Sequence, residues 1–198
     1  MEREELEQGR RKEIIDLCLD QFVKNGLFKT TSRDLSSALN LQNAGIYYYF
    51  KSKDEVIVVC AEEAAFRIEN TLIVDSFDKL DNIDNLFRDL RTKADDMAPM
   101  MKFFVQVVTT SQYDDAMQPV LKRLNERYKK YAHSIADKLN ADYLAVKSYL
   151  YMCITAITNY MIFNDDECCM PQIQMVKNAF NNFKSVNNYL NSEEITLA

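Results

Sequence analysis

Residues 30–57 read Thr30-Thr31-Ser32-Arg33-Asp34-Leu35-Ser36-Ser37-Ala38-Leu39-Asn40-Leu41-Gln42-Asn43-Ala44-Gly45-Ile46-Tyr47-Tyr48-Tyr49-Phe50-Lys51-Ser52-Lys53-Asp54-Glu55-Val56-Ile57. Each boundary in this stretch has a residue suited to a helix end. Thr31 with Asp34 has the spacing of an N-terminal cap, so a helix opens there and buries Leu35, Ala38 and Leu39. Asn40 follows where that helix must stop, and Asn tolerates the left-handed backbone such a stop requires. A second short helix is predicted from about Gln42 to Tyr49, with Ile46 and Phe50, four apart, facing inward. Ser52 and Glu55 form a capping box for a third helix, continued by Val56, Ile57, Cys60 and Ala64. Upstream, Ile14, Ile15, Cys18, Leu19, Phe22 and Val23 recur at helical spacing and end at Asn25-Gly26, a C-terminal cap. The pattern is a helix-turn-helix.

The surface chemistry of that unit points to DNA. Ala44 and Gly45 are small enough for close approach to a groove floor, and Gln42 and Asn43 carry both donors and acceptors for base edges. Tyr47 and Tyr48 have hydroxyls for phosphate oxygens. Lys53 stands in the first turn of its helix, where free amides favour an anion. The hydroxyls of Thr30, Thr31 and Ser32 are placed to clamp the other side of the backbone, with Arg33 and Lys29 adding charge.

These residues carry a family resemblance. Thr-Thr-x-Arg-Asp-Leu, then Asn-Leu-x-x-x-Gly-Ile-Tyr-Tyr-Tyr-Phe-Lys-Ser-Lys-Asp-Glu-Val, resembles the N-terminal DNA-binding domain of the TetR (tetracycline repressor) family of bacterial regulators, over roughly residues 10–60. The chain departs from the family pattern at Asn40, where Gly is usual, at Gln42-Asn43, where Ser-Lys or Ser-Arg is frequent, and at Tyr49, where His is frequent. The second departure prevents any inference of operator sequence by analogy.

Composition agrees with an all-α protein. Three glycines and three prolines in 198 residues are too few for a turn-rich β fold. No apolar run is long enough to span a bilayer and the acidic N-terminus lacks a signal-peptide pattern, so the expectation is a cytoplasmic protein with no membrane partner. Five cysteines at unrelated spacings argue against a disulfide framework. The net charge of −6 is unevenly spread: residues 1–57 carry 9 basic and 10 acidic side chains, the remainder 15 and 20. DNA affinity therefore depends on a local patch and on having two copies of it. Arg10-Arg11-Lys12 has the charge of a minor-groove arm, but it sits among glutamates and reads more simply as a solvated helix start.

Domains are assigned as 1–57, the helix-turn-helix DNA-binding domain, and 58–198, a helical ligand-binding and dimerisation domain. Helices are expected at about 53–73, 82–97, 99–111, 116–139, 142–163 and 171–190, with Pro99, Pro119 and Pro171 each in a first turn. In the resembling family the last two helices form a four-helix dimer interface, which implies that Ile173, Val176, Phe180 and Phe183 meet a mate. The middle helices there enclose a ligand, which implies a pocket lined by Phe103, Phe104, Gln106, Val107, Tyr113, Tyr128 and Tyr151.

The single histidine, His133, leaves no histidine-based metal site, and Cys168-Cys169 reads as two packed thiols more readily than as a sensor. No metal, no cofactor and no catalytic constellation is expected, and the chain is not read as an enzyme. The resemblance implies a homodimeric transcriptional regulator, more often a repressor, bound to a palindromic double-stranded operator and released by an unknown small-molecule effector. The alternative is an architectural or protein-interaction factor on the same fold, without an effector.

Overall fold

The computed structural model describes residues 2–40, 43–74 and 83–194; the side chains of 2–6, 43–44, 74, 83–89, 168 and 183–194 lie outside the description. Among the described residues every regular element is helical. They are α1 (Glu2–Asn25), α2 (Ser32–Ala38), α3 (Asn43–Ile46), α4 (Lys53–Glu69) continued by a π-helical segment (Asn70–Val74), α5 (Ile83–Val108), a 3-10 turn (Ser111–Tyr113), α6 (Asp114–Leu139), α7 (Tyr143–Phe163) and α8 (Asp166–Glu194).

The expected caps form. Gly26 ends α1 with φ of 88°, and its amide donates to the Phe22 carbonyl at 2.9 Å. Thr31 and Asp34 make a complete reciprocal capping box at α2. Asn40 follows α2 at φ 52°, and Asn140 and Asn164 stand at φ 45° and 55° after α6 and α7. A chain with few glycines thus uses asparagine for its left-handed stops. At α4, Ser52 Oγ accepts the Glu55 amide at 3.1 Å, but the Glu55 carboxylate reaches one residue further back than a capping box requires, to the Lys51 amide at 2.7 Å.

The prolines correct the expected helix starts. Pro99 lies inside α5, so the two helices expected at 82–97 and 99–111 are one, while Pro119 and Pro171 lie more than a turn into α6 and α8. All three prolines are exposed, as are Asp95, Asp115 and Glu167 four residues before them. Water can therefore satisfy the carbonyls that the rings leave without a donor, and acidic residues in the first turns of α6 and α8 favour the true starts.

The chain divides into two compact units, and the division differs from the expected boundary after residue 57. The first unit comprises Met1–Glu69 with Pro99–Leu121; the second comprises Asn70–Ala98 with Lys122–Ala198. No break occurs at 57 because α4 runs unbroken through it, with Val56, Ile57, Cys60, Ala61 and Ala64 buried along one face. The first unit's core joins those residues to Ile14, Cys18, Leu19 and Phe22 of α1, Leu35 and Leu39 of α2, Ile46 and Phe50 of the α3 region, and Phe103, Val107, Tyr113, Met117 and Val120. Phe22 and Phe103 stack with ring centroids 5.3 Å apart. An ion-pair set ties α1 to α4, with Arg67 bonded to Asp16 and, at 2.7 Å, to Glu63.

In the second unit α7 and α8 pack along each other. Val146, Leu150, Cys153, Ala156, Ile157, Tyr160 and Met161 of α7 and Cys169, Ile173, Val176 and Phe180 of α8 are buried. No described helix is long and apolar enough to cross a membrane.

Candidate DNA-binding surface

The surface is built at the meeting of α2, α3 and the first turn of α4. Burial of Leu35, Leu39, Ile46 and Phe50 fixes the two short helices on α1 and α4 and leaves their polar sides outward. Ser32 Oγ lies 3.1 Å from Tyr47 Oη, so the start of α2 is bridged to the end of α3 by hydroxyls that can each still serve a phosphate. Tyr47 and Tyr48 are 44% and 71% exposed, unusual for aromatic rings. Lys53 Nζ donates to the Thr30 carbonyl at 2.5 Å, which places its charge beside the start of α2 and leaves two further donors. Arg33, Lys29 and Lys51 are exposed around this face.

Two of the expected contacts need correction. Thr30 is fully buried and its hydroxyl donates to the Gly26 carbonyl at 2.8 Å, so it closes the turn after α1 and cannot clamp a phosphate. Thr31 uses its hydroxyl in the cap: Oγ1 donates to Asp34 Oδ2 at 2.7 Å and accepts the Asp34 amide at 3.2 Å. These bonds from Thr31 hold the Asp34 carboxyl below its ordinary range, and they keep that negative charge tied to the backbone. Ser32, Arg33, Gly45, Tyr47, Tyr48 and Lys53 stand together on the accessible side. Gln42 lies outside the described residues, as do the side chains of Asn43 and Ala44.

Arg10, Arg11 and Lys12 lie within α1. Arg10 pairs with Glu13 at 2.5 Å, and Arg11 sits 4.8 Å above the Phe50 ring and 3.8 Å from Glu55 Oε1. The sequence marks Arg11 only as part of the Arg10-Arg11-Lys12 charge run, and no local pattern connects it to Phe50 and Glu55.

The seven residues offered for a ligand pocket are divided between the two units. Phe103, Val107 and Tyr113 belong to the first unit's core, Phe104 packs against it, and Gln106 is exposed. Tyr113 Oη donates to Asp54 Oδ1 at 3.3 Å, and burial raises its pKa. Tyr128 and Tyr151 meet edge-to-face in the second unit, centroids 6.1 Å apart, and Tyr151 Oη bonds Asn125. The second unit has a crevice of about 10 Å³ lined by Leu90, Ala94, Ile157, Tyr160, Cys169 and Ile173, the room of roughly one water.

The interface residues are likewise reassigned. Ile173, Val176 and Phe180 are buried inside a single chain, where Tyr149 approaches Phe180 edge-on; the side chain of Phe183 lies outside the described residues. Among their described residues, the large apolar side chains that α7 and α8 leave exposed are Leu144, Phe163, Met170 and Met175. Cys153 is pushed up to about 12 by burial, a protonated and unreactive thiol; His133 is exposed and stacks on Tyr143 at 3.8 Å.

The bacterial regulatory protein tetR family model matches residues 14–60. The HTH-type transcriptional repressor KstR2 of Rhodococcus jostii is 35% identical over 49 residues, 25% of this chain and 24% of the repressor. The repressor of the same name in Mycolicibacterium smegmatis is 33% identical over 49 residues, 25% of this chain and 24% of that one. The aligned part thus spans about a quarter of the curated relatives' length. Across the fold, a Mesorhizobium loti protein ascribed to the TetR family superposes with a TM-score of 0.64 at 14% identity, covering 91% of this chain and 97% of that one. A TetR-family regulator of Streptomyces coelicolor gives 0.60 at 13% identity, covering 94% and 88%. The family's sequence pattern thus lies at residues 14–60, in the first unit, and the chain shares the fold of these TetR-family structures along nearly its whole length.

Proposed function

We propose that the protein is a homodimeric transcriptional regulator, a repressor that grips a palindromic operator with two copies of the α2–α3 surface and leaves it on binding a small-molecule effector. The observation that carries the reading is the Ser32–Tyr47 bridge beside Lys53, a preformed row of donors on an accessible face directly flanking the α3 helix. Neutral hydroxyls and one lysine aimed at phosphates fix the register, while the residues of α3 read base edges. Two such helices, about 34 Å apart, meet successive major grooves on one side of the duplex.

Dimerisation rests on the apolar residues Leu144, Phe163, Met170 and Met175 of the α7–α8 pair, which the described residues of one chain leave exposed. The effector acts through the second unit by binding one conformer better than another, so DNA affinity falls by that difference.

The test is selection of bound fragments from the source genome by the full chain near physiological salt. A small set sharing a palindrome is the expected result; diffuse recovery without a shared sequence would overturn the operator reading. With the palindrome in hand, substitutions at Gln42 or Asn43 are expected to change which sequence is preferred, and Tyr47→Phe to weaken all sequences alike.

A further inference from the structure

The segment that carries Tyr47 and Tyr48 leaves α3 as a single turn, closed by the Tyr49 and Phe50 amides on the Ile46 carbonyl, with Ile46 and Phe50 buried and Tyr49 packed against the core. Exposed tyrosines on such a short span need a second support if their hydroxyls are to arrive at a phosphate in one orientation. Arg11 of α1 is placed to give it. The guanidinium covers the Phe50 ring at 4.8 Å and approaches Glu55 Oε1 at 3.8 Å, while the other oxygen of that carboxylate holds the Lys51 amide at 2.7 Å. One side chain therefore grips both faces of the Phe50–Lys51 corner, stacking on the ring before it and steering the carboxylate that caps the residue after it. Beside this grip Tyr48 and Tyr49 meet edge-to-face at 5.0 Å, and together with Glu7, Gln8 and Arg11 they line an open cleft of about 360 Å³. The flat, delocalised guanidinium is essential to the arrangement, because an ammonium neither stacks on a ring as a plane nor spans two partners with fixed donors.

Resting on the DNA-binding reading above, we propose that Arg11 is a positioning residue for DNA binding: it locks the Phe50–Lys51 corner so that Tyr47 and Tyr48 present their hydroxyls to the DNA backbone, and it makes no phosphate contact itself. Its cation is already engaged by Glu55 and Phe50, and Glu7 shares the cleft, so this corner is electrostatically unsuited to a phosphate.

The experiment measures affinity of the full chain for a random-sequence 30-base-pair duplex by fluorescence anisotropy over a salt series. Positioning predicts that Arg11→Lys and Arg11→Gln both weaken binding by roughly three- to tenfold, with the slope of log affinity against log salt unchanged, since the tyrosines that Arg11 orients are neutral and release no counterion. Tyr48→Phe should then add less in the Arg11→Lys background than in the wild type, the signature of residues acting through one another. If Arg11→Lys binds like wild type while Arg11→Gln loses about 0.9 in slope, Arg11 touches a phosphate and the proposal fails. It also fails if neither substitution changes affinity. Should Arg11→Gln unfold, Arg11→Lys alone decides between these outcomes, because retention of charge without the planar fork separates them. A wild-type chain that shows no salt-dependent binding to duplex DNA overturns the DNA-binding reading itself, and the Arg11 role with it.

Discussion

The first unit and the α7–α8 pair of the second use their side chains in opposite ways. In the first unit the helix ends that carry the surface are capped by partners within a few residues: Thr31 with Asp34, and Ser52 and Lys51 with Glu55. Aromatic residues there are divided between full burial, as in Phe22 and Phe50, and exposure, as in Tyr47 and Tyr48. In the α7–α8 pair the apolar residues are so plentiful that sequence offers several faces as an interface, and packing chooses among them. The regular stripe of Ile173, Val176 and Phe180 goes inward, and a less regular set, with Phe163 and Met175, is left outside. Helix ends fixed by short-range bonds are therefore robust to how the rest of the chain packs. A site defined by an apolar face is whatever packing leaves over.

The largest effect should break the α7–α8 side of that contrast. Phe180→Ala removes a ring that is 1% exposed within one chain, and chemical denaturation should show a loss of about 3–5 kcal/mol. A mutant of unchanged protomer stability that merely dissociates would return Phe180 to an interface. Next, Phe163→Glu or Met175→Glu should weaken the proposed dimer by roughly 2 kcal/mol while leaving the thermal midpoint of the protomer within a few degrees, read by sedimentation velocity across a dilution series. Dimers of wild-type strength in both variants would place the mate elsewhere.

The first unit predicts smaller and more selective changes. Lys53→Gln should weaken binding to every duplex about tenfold and lower the salt slope by about 0.9, because a phosphate contact releases its counterion whatever the sequence. Loss confined to one operator sequence would instead make Lys53 a base reader. The smallest effect is expected from Thr31→Ala, which removes the hydroxyl of the α2 cap and should cost about 1 kcal/mol at neutral pH. That difference has a pH dependence of fixed sign. Thr31 depresses the Asp34 pKa in the folded protein, so the part of the difference that comes from the ionised carboxylate is fully present above the ordinary carboxylate value of ~3.9 and is lost as pH falls through the lower folded value, while the bond from the Asp34 amide to the Thr31 hydroxyl persists. Stability curves of wild type and Thr31→Ala should accordingly draw closer in acid without meeting; a constant gap would show that the carboxylate takes no part.

Local order along the chain is enough to settle whatever acts over one or two helical turns. The caps at Thr31 and Ser52, the left-handed stop at Asn40, the glycine after α1 and the inward pair Ile46 and Phe50 are all legible, because their partners lie three to five residues away and the helix geometry fixes the rest. The same locality makes Tyr47, Tyr48 and Lys53 readable as an outward face. Packing in three dimensions selects which hydroxyls remain available, sending Thr30 inward to the Gly26 carbonyl. It also brings Phe103, Val107 and Tyr113 into the core of a unit whose other members begin some 90 residues earlier, keeps the prolines on the water side where they need not end a helix, and lays Arg11 over Phe50. Periodicity tells that a face is apolar; it carries no record of what covers it, because burial is a property of two surfaces and only one of them is written in any local stretch of chain.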